Sequence, residues 1–405
     1  MYCTLVQKDI RHGGDAMTTR YITSVSQIPK LSVEEKTIIG KLENWFSFKA
    51  SEYYLNLINW SDPFDPIRRL IIPDVGEIEV EDGDLDPSGE SAYTLVRGLQ
   101  HKYARTGLLL VSDQCAGLCR YCFRKRLFVE GADEISPDVR DGINYIRNHP
   151  EVTNVLLTGG DPLMLPTKKL REIIAEIRRI DHVYIIRIGS KMPAFNPMRI
   201  SEDPELLALL KEYSLPERRI YLMSQFTHPR EITPEAEKAI AELLSAGVII
   251  LNQTPILRGI NDSGDVLAEL FRKLSFLGIS PYYVFQCRPT RGNQIYAVPV
   301  EESYRIFEEA RSQISGIAKR ARFVMSHSTG KIEIAACTKD YVVMKYHQAA
   351  DPEEMGKVII CRRNPSAYWF DDYVSIIDEC PLSSVNDRGK DHVFCPPEGV
   401  NTLSK

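Results

Sequence analysis

Three features of the sequence predict an α/β protein. The expected architecture is a partial or closed TIM-type (β/α) barrel of about six βα units, with an N-terminal helical wrap and a small C-terminal extension. First, apolar, β-branched or aromatic runs recur at 107–112, 152–158, 183–188, 219–226, 247–252 and 281–287. Second, helical spacing of apolar residues follows each run, at 137–148, 167–179, 203–213, 234–246, 263–277 and 301–317. Continuous apolar strands separated by amphipathic helices imply a parallel sheet buried on both faces. Third, residues able to carry chemistry recur where these runs end: Cys115, Gly159, Gln225, Gln253 and Arg288. That recurrence favours a (β/α) barrel over a doubly wound open sheet. A further run at 321–326 supplies a seventh strand.

Residues 1–100 read as an N-terminal helix and loop segment. Residues 1–16 are expected to be a poorly ordered extension. Helical spacing covers 34–46, and a second helix is expected around 50–60. Pro63-Phe-Asp-Pro66 marks a turn, because each proline fixes φ and restrains the residue before it. The polar stretch 82–89 is a loop. The barrel is assigned to 101–330. Residues 331–405 form the extension, with short strands at 331–334, 341–344 and 358–361 and a surface tail from about 380.

Composition narrows the function classes. The chain of 405 residues is 43% hydrophobic and 26% charged, ordinary values for a globular protein. A formal net charge of −5 argues against a general nucleic-acid or membrane-surface binder. No run is long and apolar enough to span a bilayer, and the first residues lack the apolar core of a signal peptide. Nine cysteines, an odd number, favour a reducing compartment, so the expected location is cytoplasmic.

The most informative stretch is Cys115-Ala-Gly-Leu-Cys119-Arg-Tyr-Cys122, followed by Arg124-Lys-Arg126. Soft thiolates suit zinc or iron–sulfur centres. Structural zinc usually takes four ligands from paired knuckles, and no second pair stands at that spacing. Three thiolates instead suit a [4Fe–4S] cube with one iron left open. At the end of the second barrel strand, Leu157-Thr-Gly159-Gly160-Asp161-Pro162 offers two glycines for close backbone approach and a carboxylate for an ammonium.

The spacing C-x₃-C-x₂-C with Tyr121 before the last cysteine resembles the radical S-adenosylmethionine (SAM) superfamily. Asp62-Pro-Phe-Asp-Pro-Ile-Arg-Arg, His101-Lys-Tyr103, Gln225-Phe-Thr-His228-Pro-Arg-Glu231, Asn252-Gln253-Thr and Tyr282-Tyr-Val-Phe-Gln-Cys287 resemble, in that order, segments of the lysine 2,3-aminomutase group. The resemblance covers nearly the whole chain. It implies that Cys115, Cys119 and Cys122 bind the cluster, that Gly159, Gly160 and Asp161 meet the SAM amino group, and that Tyr121 contacts adenine. It implies pyridoxal 5′-phosphate (PLP) on Lys331, in Ser326-His-Ser-Thr-Gly330-Lys331, with Gln253 and Tyr103 beside it. The group's phosphate-binding arginine falls at Thr106 here, leaving Arg105 as the nearest substitute. Arg124 matches the arginine that holds the amino-acid carboxylate. The two aspartates that grip a lysine substrate's distal ammonium become Arg288 and Val324.

The resemblance therefore implies an isomerase that moves an α-amino group to the β-carbon through a PLP imine and a 5′-deoxyadenosyl radical. Charge logic at Arg288 favours glutamate or aspartate over lysine. A flavodoxin or ferredoxin would supply the electron, and a second copy of the chain is a candidate partner. Alternatives are a lysine 2,3-aminomutase proper, a PLP-independent radical SAM enzyme on the same scaffold, and a non-catalytic iron–sulfur protein. Cys361, Cys380 and Cys395 are too widely spaced for a zinc knuckle, and His228 and His327 are read as hydrogen-bonded residues without a catalytic role.

Overall fold

The computed structural model describes residues 19–42, 46–79, 83–128, 134–136 and 138–382. The expected extension over 1–16, Cys3, Cys395 and most of the expected tail lie outside them. A short antiparallel pair, β1 (Tyr21–Ile22) and β2 (Ala50–Ser51), precedes one thirteen-stranded sheet whose spatial order follows the chain. Its strands are β3 (Thr94–Val96), β4 (Leu99–Tyr103), β5 (Thr106–Ser112), β6 (Asn154–Gly159), β7 (Ile185–Ser190), β8 (Ile220–Ser224), β9 (Ile249–Pro255), β10 (Ser280–Phe285), β11 (Arg322–His327), β12 (Gly330–Cys337), β13 (Tyr341–Ala349), β14 (Val358–Arg362) and β15 (Ile376–Cys380).

β5 to β11 are all parallel to their neighbours. A helix stands between each consecutive pair, as helical crossovers require. The helix Thr167–Arg178 shows why: Leu170, Ile173, Ile174 and Ile177 fall on one stripe and are buried. The strands bury Val155, Leu157, Ile186 and Ile188, whereas Asn154, Leu156, Arg187, Tyr221, Leu251 and Gln253 on alternate positions stay half-buried. The expectation of two fully buried faces is thus corrected. One face is packed, and the other lines a space with polar groups.

The parallel run does not close into a barrel by strand pairing. β4 and β3 take up its first edge in antiparallel register, and β12 to β15 take up its last. The seam is bridged instead by side chains of the N-terminal segment. Ser88 Oγ donates to Ser326 O at 2.7 Å, Lys102 Nζ to His327 O at 2.6 Å and Tyr93 Oη to Ser328 O at 3.0 Å. The divisions expected after 100 and after 330 fall inside β4 and β12, so the sheet runs through both.

The N-terminal segment is less helical than expected. Val33–Leu42 forms a helix, but the helix expected around 50–60 is cut to Glu52–Leu55. Asn59 and Asp62 explain this, because their side chains accept from Ser61 N and Phe64 N and so offer the backbone an alternative to the helix. Among the described residues, no helix is long and apolar enough to cross a membrane.

What the segment does is hold the cysteine loop. Arg120 Nε and Nη2 donate to Glu77 Oε1 at 2.9 Å and Oε2 at 2.7 Å, with side-chain exposures of 1% and 2%. Arg120 also lies 4.5 Å above the Phe46 ring. Breaking a buried pair leaves its partner charge uncompensated, so Glu77→Ala is expected to destabilise the protein by about 3–5 kcal/mol in denaturant titration. A loss below about 1 kcal/mol would show that the pair is no anchor.

Candidate active site

The cysteine loop starts three residues after β5 ends at Ser112. Backbone bonds pin it from two sides. Leu118 N donates to Lys49 O at 2.8 Å and Arg120 N to Leu70 O at 3.0 Å, both in the N-terminal segment. Gly160 N donates to Ser112 O at 2.6 Å and Asp161 N to Gln114 O at 2.7 Å, from the end of β6. A Cβ on Gly160 would stand 2.3 Å from Gln114 O, and one on Gly159, whose φ is +107°, would stand 2.5 Å from Ser112 O. The glycines therefore serve first to bring β6 against the cysteine loop, whereas close approach to a ligand was expected.

Cys115, Cys119 and Cys122 are free thiols in this loop. Burial pushes all three up, Cys119 to about 12. Lys49 beside Cys115, Lys191 beside Cys119, and Lys125 and Arg124 beside Cys122 pull the other way. Cys122 also receives the backbone N–H of Arg124. Half-buried thiols among cations and an N–H donor suit thiolates bound to metal, whose own charge deprotonates the sulfur. Among the described residues no three His, Cys, Asp or Glu converge on a single ion. A cube spreads its cysteines over separate irons, so the donor set fits a [4Fe–4S] cluster and not a mononuclear site.

Asp161 and Tyr121 are both bonded within the protein. The Asp161 carboxylate accepts from Ser190 Oγ at 2.8 Å, Lys191 N at 2.9 Å and Leu163 N at 2.9 Å. Burial raises it to about 6 against those bonds. Asp161 thus ties β6 to β7. The Tyr121 ring is buried, and its hydroxyl lies 3.0 Å from Thr227 Oγ1. That bond braces the loop from the β8 side. Beneath it, Lys191 Nζ pairs with Glu231 Oε1 at 2.8 Å, and Tyr54 Oη donates to the same oxygen at 2.6 Å. His228 accepts from Arg230 N, and His327 bonds Thr329 and Asp371, as hydrogen-bonded residues should.

Arg124 and Arg288 do come together, around an acid that carried no signal in the sequence. Glu90 accepts from Arg124 Nε and Nη2 at 3.0 Å each, in a bidentate fork, and from Arg126 Nη2 at 2.8 Å. Arg288 Nη1 stands 4.0 Å from Glu90 and has no hydrogen-bond partner, while its guanidinium lies 3.5 Å over the Phe123 ring. Burial alone would raise the Glu90 carboxyl, but Arg124, Arg288 and Arg126 hold it well below the usual carboxylate range. Arg288 thus has an acid beside it. Val324 is fully buried in the core.

Lys331, at the start of β12, projects between two aromatic rings. Its Nζ is 4.9 Å from the Tyr103 ring centre and 5.5 Å from that of Tyr283, with Gln348 Oε1 at 3.4 Å. Burial, then Arg187, Arg288 and Lys102, lowers its ammonium to about 7. An uncharged amine in a dry site is what imine formation needs. Gln253 lies in register with Tyr283. Gly330 is no phosphate cradle, since a Cβ there would stand 2.3 Å from Gln348 O. Arg105 is exposed in the turn between β4 and β5, and among the described residues its guanidinium makes no hydrogen bond or ion pair. Arg187, half-buried in the sheet with its charge acting on Lys331, was not singled out in the sequence. Its only sequence signal is a charge inside an apolar strand.

The chain matches the Radical SAM superfamily model over residues 109–271. It is 51% identical over 361 residues to a putative L-lysine 2,3-aminomutase of Aquifex aeolicus, spanning 89% of this chain and 96% of that one. An L-lysine 2,3-aminomutase of Fusobacterium nucleatum is 41% identical, across 73% of this chain and 70% of its own. A glutamate 2,3-aminomutase of Clostridioides difficile is 34% identical, across 73% and 69%.

The Lys331 amine makes a direct prediction. With a value of about 7 it is mostly ammonium below that pH and mostly free base above it. Borohydride-trapped labelling of Lys331 by an aromatic aldehyde, read by peptide mass spectrometry, should rise through pH 7. A midpoint near that of an ordinary lysine would contradict the depressed value.

Proposed function

The chain belongs to the radical SAM superfamily and, within it, to the lysine 2,3-aminomutase family, and from that premise we propose that it is an amino-acid 2,3-aminomutase whose substrate carries a second carboxylate. The observation that carries the reading is the Lys331 amine, lowered to about 7 and framed by Tyr103 and Tyr283. The family implies a [4Fe–4S] cluster and SAM, and its aminomutases imply PLP. When bound, these supply a 5′-deoxyadenosyl radical for hydrogen abstraction and an aldehyde that carries the migrating amino group.

The chain's own residues take the following parts. Cys115, Cys119 and Cys122 hold the cluster on a loop that cannot shift without breaking the Arg120–Glu77 pair. Gly159, Gly160 and Asp161 fix the second strand end against that loop, which keeps the SAM seat and the cluster in register. Lys331 holds the aldehyde, and Gln253 and Tyr103 border it. Arg124 takes the α-carboxylate, which must share or displace Glu90. Arg288 meets the side chain of the substrate. Its Nη1 is a buried donor without an acceptor, and an unsatisfied buried donor favours a ligand that completes it. The value of such preorganisation is positional, because a radical transfer needs donor and acceptor held close and water kept out.

A second reading, lysine as substrate, has Glu90 in its favour, since a buried carboxylate could share a distal ammonium. An anaerobic screen decides between them, with protein reconstituted with iron, sulfide, PLP, SAM and dithionite and β-amino products read by mass spectrometry. Glutamate or aspartate should outcompete lysine, and Arg288→Ala should raise the barrier for the acidic substrate by about 2–5 kcal/mol. Equal or better turnover of lysine would remove the acidic-substrate reading. Absence of 5′-deoxyadenosine with every amino acid would remove the enzyme reading.

A further inference from the structure

The position at which the family's phosphate-binding arginine is expected holds Thr106, and Arg105 points to solvent. A different strand supplies a guanidinium to the same neighbourhood. Thr106 on β5 is in register with Asn154 on β6. Arg187 on β7 donates from Nε to Asn154 Oδ1 at 2.8 Å, which brings its guanidinium to within one strand of Thr106. Tyr103, the cross-strand partner of Thr106, has the Lys331 amine 4.9 Å from its ring. Lys331, Tyr103, Thr106, Asn154 and Arg187 therefore surround one space on the half-buried face of the sheet.

Arg187 differs from the other cations around this space. Arg124, Arg126 and Arg288 share Glu90, and Lys102 donates to two carbonyls, His327 O and Ser88 O. Among the described residues, Arg187 makes no ion pair, and Asn154 is its hydrogen-bond partner. Burial lowers its guanidinium, partly offset by Tyr282 and Tyr283. A buried arginine without a counter-anion is costly unless an anion completes it. Its terminal nitrogens keep the planar fork that suits a phosphate.

We propose that Arg187 is the anchor for the phosphate of PLP, replacing from β7 the arginine absent at Thr106. The inference rests on the PLP-dependent reading above. It separates two functions that meet in one cofactor: Lys331 engages the aldehyde end and Arg187 the phosphate end.

The test compares PLP with pyridoxal, which has the same ring and aldehyde but no phosphate, by equilibrium dialysis against the cluster-reconstituted full chain. The wild type should bind PLP more tightly than pyridoxal, and inorganic phosphate should compete with PLP. Arg187→Met should weaken PLP by about 10- to 150-fold, the range for losing a charge-assisted hydrogen bond, and leave pyridoxal binding unchanged. Arg187→Lys should recover part of the loss. Unchanged PLP affinity in Arg187→Met would overturn the assignment, as would equal losses for PLP and pyridoxal, which mark a structural role. Wild-type protein that binds no PLP would overturn the PLP-dependent reading itself, a result distinct from either. Iron content after reconstitution, expected to match wild type, checks that the variant folds.

Discussion

The buried Arg120–Glu77 pair is the constraint on which the active site depends. A guanidinium between two of the cysteines cannot be solvated where it lies, so its position is dictated by a carboxylate 43 residues earlier in the chain. Buried ion pairs contribute little net stability, because desolvation offsets their attraction. Their effect is geometric: only one arrangement satisfies both partners. The anchors of the loop to Lys49, Leu70, Ser112 and Gln114 are backbone bonds and tolerate side-chain change. Specificity of placement thus rests on the side-chain contacts, of which the Arg120–Glu77 pair is the charged one.

The charge arrangement inside the sheet follows a second logic. Cations gather near Lys331 in excess of acids, and Glu90 neutralises only part of them. Burial and then that excess depress the lysine, and Arg288 keeps a buried donor without an acceptor. Such an excess of cations suits a site that receives anions. A site evolved for stability alone would pair these arginines or replace them with apolar residues.

Much of this architecture was legible in the amino-acid sequence. The parallel strands emerged because apolar runs and 3.6-residue spacing are local signals. The cysteine loop emerged because three thiols within eight residues suit a metal centre and little else. Non-local features were not legible. Glu90 meets Arg124 across 34 residues of loop and strand, with no periodic signature. The glycines of 159–160 announced close approach but not what approaches, which proved to be the cysteine loop's own backbone. Closure was hidden for the same reason. Whether a sheet's edges meet depends on the register accumulated over every strand, and no single segment encodes it.

The seam between the sheet's first and last parallel strands gives the molecule a low-cost way to open. The bonds from Ser88, Tyr93 and Lys102 across it run from side chains to carbonyls. Each is worth about 0.5–1.5 kcal/mol net, so parting them costs far less than rupturing a strand ladder. The seam is in effect a clasp and not a weld. The two edges can part there with every strand pairing intact.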